Sequence, residues 1–136
     1  MSTLSVDTIQ GQTTAANVKF PAGSVLQVVQ GEVLTQITNS SSSYGDVVTK
    51  AITPKYNNSK ILIQCSGCAT PQRGNALYFK LFRGSTEIGS GTGGGYNNVA
   101  GALTNPGGHS YDPFDVKGFS IQFLDSPSTT SATTYK

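Results

Sequence analysis

The apolar residues of this chain fall in short blocks that alternate in twos and stop at Gly, Pro, Asn or Ser. Period two puts successive side chains on opposite faces of a strand, whereas a helix needs apolar residues three and four apart. No window offers helical spacing together with a cap. A chain built this way can only be all-β.

Residues 60–66 give the clearest strand, with Ile61, Ile63 and Cys65 on one face and Leu62, Gln64 and Ser66 on the other. Residues 118–125 alternate Phe119, Ile121 and Phe123 against Ser120, Gln122 and Leu124. Residues 76–83 read as one strand, with Leu77, Phe79 and Leu81 pointing one way and Tyr78, Lys80 and Phe82 the other. Gly84 and Ser85 form a tight turn into residues 86–88. Residues 99–103 are a weaker strand, and residues 133–136 begin another. Upstream, residues 25–37 are rich in β-branched side chains and read as a bulged or two-part strand with Gly31 in its middle. A second strand covers 44–52 and is closed by Pro54. Asn39 to Ser43 and Tyr56 to Ser59 are turns by composition. Seven or eight short strands at this spacing predict an antiparallel β-sandwich, jelly-roll-like, over residues 24–136. Residues 1–23 read differently. Leu4, Val6 and Ile9 stand isolated among polar residues, which predicts an extended N-terminal arm that gains burial only against another chain.

Charged residues are 12% of the chain, about half the roughly 25% usual for soluble domains. The net charge of +2 is scattered, which leaves no basic stripe and argues against a nucleic-acid partner. No apolar run approaches the ~20 residues that span a bilayer, and the N-terminus lacks the basic and apolar regions of a secretory signal. The motifs that could carry chemistry are weak. GSGTGG over 89–94 matches a dinucleotide loop, but the Gly95-Tyr96-Asn97-Asn98 that follows starts a helix poorly. Cys65 and Cys68 have the C-x-x-C spacing, yet Cys65 ends a strand rather than opening a helix, and no second ligand pair exists for zinc. Asp112 and Asp115 flank Pro113 in a turn, with too few oxygens nearby for calcium. His109 has no identifiable nucleophile. The sequence argues against an enzyme, and no cofactor or metal is expected.

Binding is expected in two loops. Residues 89–98 supply Tyr96, Asn97 and Asn98, and residues 105–115 supply His109 and Tyr111; these groups suit hydrogen bonding or stacking on a sugar. Low charge and exposed sheet edges favour an oligomer, and Tyr78 and Phe82 are the aromatic side chains placed either at its interface, with Leu4, Val6 and Ile9 of the arm, or in a second core layer.

Three landmarks carry a resemblance. The first is Val6-Asp7-Thr8-Ile9-Gln10 followed by VKFPAGSVLQVVQ over 18–30. The second is ITPK over 52–55 with SKILI over 59–63. The third is FSIQFLD over 119–125 with SPS and then TTYK over 133–136. In this order they resemble virion structural proteins of tailed phages, marine and cyanobacterial phages especially, of the tail-fibre or knob type. The resemblance implies a homotrimer located in the virion, joined to other virion proteins through the arm and exposed for host attachment. It also implies one more hairpin beyond residue 136, where this chain stops. A capsid decoration protein and a stand-alone lectin-like module binding host-surface glycan are the alternative readings.

Overall fold

A computed structural model describes residues 23–71, 75–91, 100–104 and 116–136. These residues contain strands and loops and no helix. The strands are β1 (Lys50–Ile52), β2 (Ile61–Ala69), β3 (Ala76–Phe79), β4 (Leu81–Arg83), β5 (Thr86–Ile88), β6 (Gly101–Thr104), β7 (Lys117–Asp125) and β8 (Thr133–Tyr135). Every pairing is antiparallel. β2 pairs with β7, β3 with β6, and a four-stranded sheet runs in the order β1-β8-β4-β5.

The β2–β7 ribbon is the longest element, pairing nine residues of each strand from Ile61 opposite Asp125 to Ala69 opposite Lys117. Its faces are those the alternation predicts. Ile61, Ile63 and Cys65 with Phe119, Ile121 and Phe123 turn inward, while Leu62, Gln64 and Ser66 with Ser120, Gln122 and Leu124 turn out. The other sheets meet the inner face. Phe79 of β3 stacks on Phe119 with centroids 4.3 Å apart, a contact worth about 1 kcal/mol beyond its buried area. The backbone of Gly101 in β6 comes up against Ile121, and the ring of Phe123 lies over Gly89.

Residues 76–83 do not form one strand. Pairing with β6 ends at Phe79 opposite Gly101, and pairing with β5 begins at Leu81 opposite Ile88. Lys80 is the corner at which the chain passes between sheets, a bend that closes orthogonal layers in other β folds. The turn after β4 holds to expectation. Gly84 has φ +59° while Ser85 does not enter the positive region, which is the primed geometry that matches strand twist. The turns at 39–43 and 56–59 are held by side chains: the Ser41 amide donates to Asn39 Oδ1 at 2.9 Å, and the Tyr56 amide to Ser59 Oγ at 3.1 Å.

One carboxylate ties β7 to the four-stranded sheet. Asp125 is 6% exposed and accepts Arg83 Nη1 on both oxygens, at 2.9 and 3.0 Å, and the Tyr135 hydroxyl at 2.6 Å. β8 is further bound to β4 by reciprocal backbone bonds between Phe82 and Lys136 and by the Gly84 amide donating to the Thr134 carbonyl. Asp125→Ala removes three charge-assisted bonds at once and leaves Arg83 without its partner. The expected loss is about 2–3 kcal/mol, read from urea unfolding midpoints.

Burial, then the hydrogen bond to Asp125 and its negative charge, push the Tyr135 hydroxyl well above the ordinary tyrosine range. The folded state therefore favours the protonated phenol. This contribution is complete below the unfolded value of about 10 and is lost as pH rises through the folded one. Tyr135→Phe is expected to cost about 1 kcal/mol at pH 7 and to flatten the fall in stability above pH ~10, measured by unfolding at stepped alkaline pH.

Candidate interaction surface

Residues 24–37 hold a concentrated β-branched run, with Val25, Val28, Val29, Val33 and Ile37 joined by Leu26 and Leu34. A strand is expected here, and the structure does not form one. The segment enters no sheet, and among the described residues no backbone hydrogen bond involves it. The difference is physical: propensity supplies a chain suited to pairing, but a strand exists only when an edge is available to pair with. All seven of these side chains are exposed, Val25, Val28 and Leu34 by 80%, 81% and 83%. The segment does touch the chain at Gly31. A Cβ there would stand 2.8 Å from Lys50 Cγ and 3.0 Å from Val48 Cγ1, so a glycine is what permits the approach.

The outer face of the β2–β7 ribbon is a second exposed surface, and it has no charge. Leu62 lies opposite Leu124, Gln64 opposite Gln122 and Ser66 opposite Ser120. The two leucines are 59% and 57% exposed. Sheet faces and edges in stable monomers are guarded by charged side chains; none occurs on this face.

Charge is instead placed where strands must be joined. Lys80 Nζ donates to Glu87 Oε2 at 2.7 Å and lies 5.0 Å from the centre of the Tyr44 ring, and Ser90 Oγ donates to Glu87 Oε1 at 2.6 Å. The hydrogen bond to Glu87 raises the Lys80 ammonium above its ordinary value. The bonds from Lys80 and Ser90 lower the Glu87 carboxyl. Lys136 Nζ reaches Asp46 at 3.0 Å and approaches the Phe82 ring. These pairs pin the 44–46 segment to the four-stranded sheet.

Cys65 is half-buried on the inner face, where burial pushes its thiol up; Cys68 is exposed. Three residues apart on one strand, they face opposite sides of the ribbon, so they do not make a redox pair. Both are free thiols. Among the described residues no three His, Cys, Asp or Glu side chains come together to hold a metal ion.

Of the residues singled out from sequence, Tyr78 and Phe82 are half-buried and sit on different sheets, Tyr78 opposite Ala102 and Phe82 opposite Glu87. Leu4, Val6, Ile9, Tyr96, Asn97, Asn98, His109 and Tyr111 lie outside the described residues. The apolar segment at 24–37 was legible as β-forming. Its lack of a partner was not, because pairing is decided by distant residues.

Replacing Val28 and Leu34 by lysine tests whether this surface is used between chains. Both side chains are more than four-fifths exposed, and among the described residues neither is buried, so the far-UV spectrum of the double variant is expected to keep its β signature. Its sedimentation coefficient is expected to fall to that of smaller species.

No family model, no curated protein and no solved structure matches the chain.

Proposed function

We propose that the chain is a structural subunit of a bacteriophage virion, a homotrimeric fibre or knob exposed on the particle and used in host attachment. In this reading residues 24–136 form a jelly-roll-like β-sandwich head, and residues 1–23 are the arm that joins it to other virion proteins. The observation that carries it is a mismatch between core and surface. Among the described residues the buried apolar side chains are Leu81 and Ile121 with two prolines, Pro54 and Pro71, while seven large aliphatic side chains between residues 25 and 37 face solvent on a segment with no strand partner. A chain so arranged gains most of its remaining stability by burying that segment between copies, as obligate oligomers do.

The resemblance to tailed-phage virion proteins supports the same reading, and its second and third landmarks are neighbours in space. Ile61 and Ile63 of the second pair with Asp125 and Phe123 of the third, and Ile52 pairs with Thr133. The charge-poor ribbon face fits a protein that works by contact.

Light scattering on the purified chain is expected to return about three times its 14.2 kDa mass, and immunogold labelling is expected to mark the tail tip of the particle. Labelling over the capsid would favour a decoration protein. Purified trimer is expected to block phage adsorption to host cells, and Tyr96→Ala with Tyr111→Ala to abolish the block without changing mass or thermal unfolding. Blocking at full strength by the double variant would move recognition away from the two loops.

A further inference from the structure

We infer that residues 24–30 of one chain add as a strand to the edge of β2 left unpaired among the described residues, in a second copy of the same chain. The inference rests on the self-assembly part of the reading above and names the surfaces that would meet.

The donor is defined by what it lacks. Ser24, Val25, Leu26, Gln27, Val28, Val29 and Gln30 carry no charge and no proline. Among the described residues their amides and carbonyls have no hydrogen-bonded partner. Backbone groups of a β-forming segment are satisfied either by water or by a sheet edge, and an edge also buries the valines.

The acceptor is selected by length and charge. The four-stranded sheet ends in three-residue strands, β1 and β5, and β3 and β6 have four residues each. Only β2 and β7, with nine residues each, match a seven-residue donor along its whole length. β7 carries Lys117 and Asp125 at its ends. β2 has no charged residue from Ile61 to Ala69, and among the described residues β7 is its only strand partner. An uncharged, unguarded edge of this length is the kind that recruits another strand.

The exposed aliphatic side chains of the donor itself, Val25, Leu26, Val28 and Val29, amount to on the order of 350 Å² per chain, to which strand pairing adds the backbone and β2 atoms it covers, toward the roughly 800 Å² per partner of a standard stable interface. Gly31, held against Val48 and Lys50, marks the point where the donor leaves its own chain.

Cys68, exposed on β2, provides the test. Single cysteines are introduced in turn at positions 24–30 of the full chain, and each variant is oxidised mildly and run on non-reducing gels. Cross-strand neighbours bring Cα atoms to about 4.5–5.5 Å, within disulfide range. The expected result is a band of twice the chain mass, strong at one position, weaker two residues away and absent between. It should vanish when Cys68→Ser is added, and wild-type protein should not give it. Equal linkage at every position, no linkage, or linkage within a single chain would each overturn the strand addition. Sedimentation of the same samples separates the two readings: an oligomer that fails to link overturns this pairing alone, whereas a monomer overturns the assembly reading as well.

Discussion

The nine-residue pairing of β2 with β7 builds a ribbon with one apolar face, and the remaining sheets are held against that face or at its end. Phe119, Ile121 and Phe123 project from β7 at alternate positions, and each meets a different part of the chain. Phe119 receives Phe79, Ile121 receives the backbone of β6, and Phe123 covers Gly89 beside Leu81. At the ribbon's last pair the alternation would continue with an apolar residue, but Asp125 stands there instead. It works because Arg83 and Tyr135 arrive from β4 and β8 to satisfy both oxygens. A buried carboxylate is costly unless it is paired and hydrogen-bonded, so this one demands that both strands be in place. It therefore makes the closing of the C-terminal strand cooperative with the ribbon.

The use of charge follows the same economy. In a chain with few ionic side chains, Lys80 with Glu87 closes the end of the β4–β5 hairpin and sets Lys80 over the Tyr44 ring, while Lys136 with Asp46 fastens a segment outside the sheets. Neither pair is fully buried, and such pairs add little stability individually. Their effect is positional: they fix where the segment leading into β1 runs over the four-stranded sheet. The ribbon's outer face, by contrast, carries Leu, Gln and Ser in matched cross-strand pairs and no charge.

The period-two alternation and the turn residues between its blocks determined the class of fold, the antiparallel character, the two faces of β2 and β7, the Gly84-Ser85 turn and the turns at Asn39 and Tyr56. These are decided by neighbours one to four residues away, which is the range over which pleat, φ and turn chemistry act. Tertiary structure alone decided which strands meet. Residues 76–83 carry one uninterrupted pattern, yet the chain changes sheets at Lys80, so Tyr78 and Phe82 share a parity and end on different sheets. Arg83 and Asp125 are 42 residues apart, and nothing local announces their pairing. The segment at 24–37 is the plainest case. Its residues specify a strand, but hydrogen bonds across a sheet need a partner edge, and partner edges are a property of the folded or assembled chain rather than of any window of sequence.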